Sequence, residues 1–393
     1  MNNEISIHKY FAEFMFSLFC SLFAIVKPIT QPTGFAAPIL FVITAVCAFL
    51  ILIQPKRSGI KGDFRVLLTT TIVVICLLVV DFLGRPNENT SEYLYDFFLY
   101  GVLSLFFISY IRNYKAVLYY FSIIAIINGI IYLPDPILNS YELSGGYMQF
   151  GFISMMPAFA GSVVMLFYFR KKWTVVFSII FLISLFVFAN KSAFLCALVL
   201  LATGYLLIRK GGKFSLSSIM VLIVMGLIIY FNLDKIISGG FDFATSIGFA
   251  DSYSLRTFEA LLAGADEMVV GTRYDVWDEA IAMFNQKKLF GWGVGWFEKF
   301  SEQPYPHNIF LEVMVEYGIL GLILFSAIFI IAVIRMARIK DFEKKVFTIF
   351  VFILWFLPLS VSLTFWKVSF FWMFWFLCFS SNKSINKVRI YGM

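Results

Sequence analysis

The chain of 393 residues is 61% hydrophobic, 19% aromatic and only 14% charged, with a formal net charge of +7 at pH 7. A soluble domain carries about a quarter of its residues as charges, so this composition, with a mean hydropathy of +0.87, excludes a water-soluble globular enzyme and points to a membrane bundle. The positive balance does not imply nucleic-acid binding, because the cations sit in the turns between apolar runs.

At the N-terminus, Lys9 followed by an apolar run looks like a signal peptide, but no small-residue cleavage site follows and Lys27-Pro28 ends the run. It reads as a retained first span. A span takes roughly 17–25 apolar residues, and runs of that kind predict spans near 11–29, 34–53, 64–83, 94–111, 115–133, 147–169, 173–189, 192–208, 215–231, 308–334, 345–363 and 367–380. Lipid admits only helices or closed barrels, and these runs lack the strict alternation of barrel strands. The expected fold class is therefore all-α: a polytopic integral membrane helical bundle of about twelve spans. Cys20, Cys47, Cys76, Cys196 and Cys378 all fall in apolar segments without a C-x-x-C, so neither a disulfide framework nor a metal site is expected.

Charge placement sets the expected orientation. With the N-terminus in the cytoplasm, the inner side receives Lys9, Lys56, Arg57, Lys61, Arg65, Arg112, Lys115, Arg170, Lys171, Lys172, Arg209, Lys210, Lys213, Arg335, Arg338, Lys340, Lys344, Lys345, Lys383, Lys387 and Arg389. The short outer turns receive Lys27, Arg85, Lys191 and Lys367. This asymmetry follows the positive-inside rule and puts both termini inside; anionic membrane lipid is the expected partner of the inner cations. The expected organisation is a bundle over 1–231, a large outer loop over 232–306, further spans over 307–380 and a cytoplasmic tail over 381–393.

The outer loop of roughly 75 residues is of a length that usually carries function. Trp277, Ile281 and Phe284 recur at helical spacing over 274–284, with Asp275, Asp278 and Glu279 at the start, Lys287 and Lys288 at the end, and Gly291 as a stop. A second short helix is expected over 254–263, with Leu255, Phe258, Leu261 and Leu262 on one side. Both would lie at the membrane interface and roof the bundle.

The end of the loop holds the densest pattern: Arg273 and Trp277 as Arg-x-x-x-Trp, then Phe-Gly-x-Gly-x-Gly from Phe290 to Gly295, then His307-Asn308, then Glu316, Gly318 and Gly321 as Glu-x-Gly-x-x-Gly. In order and spacing this resembles the O-antigen ligase and polymerase superfamily. The resemblance implies an integral-membrane glycosyltransferase with a multi-helix bundle and a large outer loop. Its donor would be an undecaprenyl-diphosphate-linked glycan and its acceptor a second glycan; no nucleotide sugar, metal or other cofactor is expected. It also implies the bacterial inner membrane, an active site facing outward, and a chain-length regulator protein as a candidate partner. The family's Ser-Arg-type motif at the outer end of an earlier span corresponds to Asn190-Lys191-Ser192-Ala193, where Lys replaces Arg. The charge is kept and the bidentate fork lost, which weighs against the ligase branch.

The residue chemistry is compatible with that resemblance. A diphosphate leaving group gathers negative charge as the sugar–phosphate bond breaks, and cations aimed at it stabilise the transition state. Arg273, Arg256 and Lys191 are the candidates, with solvated or headgroup-binding side chains as the alternative. His307, at the membrane edge, can orient or deprotonate an acceptor hydroxyl; otherwise it is a helix-start residue without chemistry. Glu312 and Glu316, one turn apart in a span, can act as base or pair with an arginine. Asn308, Trp277 and Trp296 are candidate substrate contacts, although tryptophans here also serve as interfacial anchors. The glycine run follows a helix, not a strand, so it is not a dinucleotide fingerprint; it is expected to turn the loop tightly back to His307.

Polymerisation of lipid-linked repeat units is the first functional expectation, and ligation of the polymer to lipid A–core is the second. A transporter or flippase fits the span count but not the absence of two-half symmetry, and a plain scaffold leaves the His–Arg cluster unexplained.

Overall fold

A computed structural model describes residues 7, 9–30, 36–53, 64–189, 191–209, 233–246 and 271–380. In chain order the helices are α1 Phe11–Thr30, α2 Ala36–Leu52, α3 Phe64–Gly84, α4 Thr90–Ser109, α5 Tyr114–Tyr132, α6 Tyr147–Phe167, α7 Thr174–Val187, α8 Lys191–Thr203 with a π-helical extension Gly204–Arg209, α9 Leu233–Ser246, α10 Gly271–Gln286, α11 Ile309–Ala337, α12 Phe342–Val361 and α13 Ser369–Phe379. Every expected run coincides with a helix except 215–231, which lies outside the described residues. Against about twelve expected spans, the described residues hold six helices of full spanning length and apolarity and five shorter apolar ones.

Two expectations for the outer loop change. A helix, α9, occupies 233–246, where none was read, because its apolar residues are interrupted by Gly239, Gly240 and two acids. The helix expected over 274–284 starts earlier, at Gly271, and stops at Gln286. The short helix expected over 254–263 lies outside the described residues.

The bundle is built around α5 and α6, whose most apolar stretches are 67% and 83% buried, whereas those of α3 and α11 are 11% buried and line the outside. Small residues let the central pair approach closely: a Cβ on Gly129 would lie 2.4 Å from that of Ala158, and one on Gly161 would lie 2.9 Å from the Ser122 carbonyl oxygen. In lipid, where apolar burial drives little helix association, this close packing holds the helices together. Aromatic stacking does the same between α11, α12 and α13, where Phe329 lies parallel to Phe352 and Phe356 and Trp355 is fully buried among Phe371, Phe374 and Trp375. Helix starts are capped by side chains, Asn113 accepting from Ala116 N at 3.0 Å and Asp341 from Lys344 N at 2.8 Å, which satisfies donors that lipid could not.

The connections gather at two ends. At one end, Glu13 of α1 accepts from the amides of Arg112 and Asn113, Tyr168 donates to Glu343, and Lys344 donates to Ser380. At the other end, Tyr141 donates to the Phe188 carbonyl, Asn308 to the Ser360 carbonyl and Arg85 to the Phe290 carbonyl, and Lys367 pairs with Asp96 at 3.5 Å. The first end collects turns assigned to the inside and the second collects turns assigned to the outside, so the alternation is consistent along the described chain.

The positive-inside rule gives a direct expectation for which end faces out. In a cysteine-less background, Glu88→Cys should react with a membrane-impermeant maleimide on intact cells, and Lys171→Cys only after permeabilisation. The opposite labelling would invert the orientation.

Candidate functional site

The site begins with a break in α11. At Gly318 the backbone turns to φ 67° and ψ −163°, so the i→i−4 hydrogen bonds that would cross this point are lost. In an unbroken helix Ile319 and Leu320 would donate to the carbonyls of Val315 and Glu316. Here those carbonyls accept instead from Trp292 N at 2.8 Å and Gly293 N at 2.9 Å, and the freed amides donate to the carbonyls of Lys288 at 2.8 Å and Leu289 at 3.4 Å. The segment 288–293 therefore inserts into the helix and satisfies both sides of the break, which a membrane protein must do internally. Only glycine allows the contact: a Cβ on Gly318 would lie 2.4 Å from the Leu289 carbonyl oxygen, and one on Gly291 would lie 2.5 Å from the Glu316 carbonyl. Both residues have positive φ. The glycine run does turn tightly, as expected, but its partner is the broken helix that carries the carboxylates.

The N-terminal half of α11 carries Glu312 and Glu316, only 3% and 4% exposed. The turn after α12 supplies their donors: Thr364 Oγ1 donates to Glu312 Oε1, and Trp366 Nε1 donates to Glu316 Oε1 at 3.3 Å. The second oxygen of each, Oε2, is buried with no hydrogen-bond partner among the described residues. Both glutamates line one small, partly open recess of about 10 Å³, room for about one water, with Tyr93, Gly295, Phe297, Pro304, Tyr305, Pro306 and Val315. Tyr93 also meets the Trp366 ring edge-on at 5.6 Å. Two buried carboxylates with an open oxygen each call for hydroxyl donors or a cation.

His307 is half-buried, its ring edge-on to that of the pocket residue Tyr305 at 4.6 Å. Its backbone is left-handed, with φ 57°, a conformation that persists only when neighbours impose it. Those neighbours are buried Pro306 and Asn308, the N-cap of α11. Asn308 was expected as a substrate contact. Its Oδ1 instead accepts from Phe310 N and Leu311 N at 2.9 and 3.3 Å, and its Nδ2 donates to the Ser360 carbonyl at 3.2 Å. It is spent on setting where α11 starts, and hence where His307 stands.

α10 packs on this half of α11 through Val276, Ala280 and Met283, against Val315, Phe297, Leu311 and Trp292. It carries Arg273, whose side chain lies outside the described residues, and half-buried Trp277. Lys191 opens α8, its side chain also outside the described residues, and Arg256 lies outside them altogether. Trp296 uses its N–H on the Arg85 carbonyl at 3.4 Å and lies parallel to Phe300; Trp292 donates to the Met283 carbonyl at 2.7 Å, under the Lys287 ammonium at 3.8 Å. Of the expected site residues, Glu312 and Glu316 share one pocket, and His307 packs on Tyr305, which lines it. Beside them, Glu298 is held by Asn89, and burial pushes its carboxyl up.

Residues 190–326 match the family model described as O-antigen ligase. The match takes in α10, the glycine run, His307 and both glutamates, and supports the O-antigen ligase/polymerase superfamily that the motif order resembles. Members of that family are glycosyltransferase-like enzymes acting on lipid-linked glycans. No curated protein matches the chain. Among the described residues no group of three or more His, Cys, Asp or Glu is placed to hold a metal ion.

The pocket also draws on residues outside the matched segment that were not read as functional: Tyr93, Thr364 and Trp366. A signal existed for the turn that bears two of them, since Lys367 is one of few cations in the short outer turns. Trp366→Phe keeps the ring against Tyr93 and removes the donor to Glu316, and should lower glycan transfer by about tenfold. Glu316→Gln should lower it by about a hundredfold or more. Single-turnover assays on protein that elutes as a single species check both.

Proposed function

We propose that this protein is a glycosyltransferase that polymerises undecaprenyl-diphosphate-linked oligosaccharide repeat units into O-antigen or a related surface polysaccharide. It would act on the outer face of the bacterial inner membrane. The observation that carries the reading is the Glu312–Glu316 pair, buried with one open oxygen on each residue, in a pocket whose Tyr305 wall packs against His307, inside the matched segment. Buried, half-satisfied carboxylates are costly in a membrane and persist where a ligand completes them.

In this reading a hydroxyl of the acceptor sugar attacks the anomeric carbon of the donor. The carbon–oxygen bond to the diphosphate breaks, and its electron pair leaves on undecaprenyl diphosphate. The hydroxyl proton passes to a carboxylate of the pair or to His307. Arg273, with Arg256 and Lys191, would face the diphosphate, where charge grows during the step. The donor's own phosphate ester supplies the driving force.

The description of the matching family favours a second reading, in which the finished lipid-linked polymer is transferred to lipid A–core. Lysine at position 191, where the family's Ser-Arg-type motif has arginine, favours polymerisation.

The polysaccharide profile of a deletion strain separates the two. Loss of a polymerase leaves a single repeat unit on the core and removes the ladder, whereas loss of a ligase leaves lipid-linked polymer that never reaches the core. An unchanged profile would return the transporter reading. Complementation with His307→Ala or Arg273→Ala should fail to restore long chains although protein reaches the membrane; normal chain length in either removes that residue from the mechanism.

A further inference from the structure

The segment that plugs the α11 break is held on its other side by the end of α3. Asp81 is 2% exposed and pairs with Arg85, one turn later, at 2.7 Å. Arg85 also sends one terminal nitrogen to the carbonyls of Phe290 and Gly291, 2.8 Å each. The second oxygen of Asp81 accepts from Val294 N at 2.7 Å, and Asn87 Nδ2 donates to the Val294 carbonyl at 3.1 Å. Both backbone groups of a fully buried residue are thus taken by side chains from α3 and the turn after it. Gly293, at φ 105°, lies so close that a Cβ there would be 2.6 Å from the Asp81 carboxylate.

A continuous line of contacts follows. Asp81 holds Val294, its neighbour Gly293 donates to the Glu316 carbonyl, and Glu316 faces the pocket. The run itself has no regular structure to fix its shape, because glycines at 291, 293 and 295 all take positive φ. Asp81, Arg85 and Asn87 all lie outside the matched segment 190–326.

We infer that Asp81 and Arg85 are positioning residues: their ion pair latches the glycine run into the broken helix and so sets the place of the Glu312–Glu316 pair. The inference rests on the transferase reading above. The arginine fork suits the task because it reaches two carbonyls and a carboxylate at once, which a lysine cannot. The carboxylate suits it because a buried charge paired on one oxygen and hydrogen-bonded on the other is locked in place, and removing either partner leaves the remaining one stranded.

The test uses full-length protein in detergent with a lipid-linked glycan as donor, comparing wild type with Asp81→Asn, Arg85→Lys and the double variant. Turnover should fall about tenfold in each single variant while the donor KM stays within about twofold. The double variant should be no worse than the poorer single, since the two act as a unit. Hydrogen exchange of peptides spanning 288–298 should speed up in all three. Arg85→Lys keeps the charge and serves as the milder probe if Asp81→Asn fails to fold. A raised donor KM with unchanged turnover and exchange would overturn the inference and make Arg85 a donor contact. Faster exchange with unchanged turnover would overturn it too, reducing the pair to a brace, as would no change at all. Absence of transfer by wild type would instead sink the transferase reading, and the exchange data would still decide whether the latch exists.

Discussion

The architecture depends on one exchange of backbone hydrogen bonds. A membrane helix cannot break in lipid without new partners for the groups it frees, and α11 breaks at Gly318. The 288–293 segment supplies those partners in register, two amides for two carbonyls and two carbonyls for two amides. An outer loop is thereby joined to a spanning helix at its break, and Glu316, two residues before it, and Glu312, a turn earlier, share a pocket with the loop residues Gly295, Phe297, Pro304, Tyr305 and Pro306. The wider consequence is that the site is not a property of α11 alone. It exists only when helix and loop are assembled.

That dependence explains why three distant parts of the chain meet there. The break fixes the loop from one side, and Asp81, Arg85 and Asn87 fix it from the other. The Thr364–Trp366 turn then supplies the donors that make the buried carboxylates tolerable. Each contact uses one lone-pair site and leaves another open, so the protein lowers the cost of burying two acids without cancelling their capacity to bind. A fully satisfied pair would be more stable and chemically inert.

The helical skeleton was readable in the residues because long apolar runs separated by basic turns obey only two rules, span length and charge asymmetry. Glu312 and Glu316 were readable as candidates because polar groups inside a span stand out against their surroundings. What was not readable is how the parts meet. Gly318 sits in an apolar run where glycine is common in membrane helices, and nothing local marks it as a break. Arg85 was assigned only to an outer turn, although an acid and an arginine one turn apart at a span's end, Asp81 and Arg85, are better explained by pairing. Asn308 carries the right chemistry for a ligand contact and spends it on a helix cap. The difference lies in backbone geometry that residue types do not encode. The side chains of Arg273 and Lys191, and the whole of Arg256, lie outside the described residues, so their roles rest on chemistry and not on placement.

The division of the chain follows from the chemistry proposed for it. A transferase that uses a pre-energised lipid-linked donor needs no cofactor site. What it must supply is charge aimed at a leaving diphosphate, a proton acceptor for a hydroxyl, and enough order to bring the two together. The charges can sit on a loop, which has to admit a bulky glycan. The proton acceptor cannot, because a carboxylate in bulk water is a weak base and poorly aimed. Placing Glu312 and Glu316 in a buried helix segment, and tying the loop to that segment at its break, meets both demands with one structural device. Ordering the loop and building the site are then the same event, so any change that frees the glycine run should cost turnover before it costs binding.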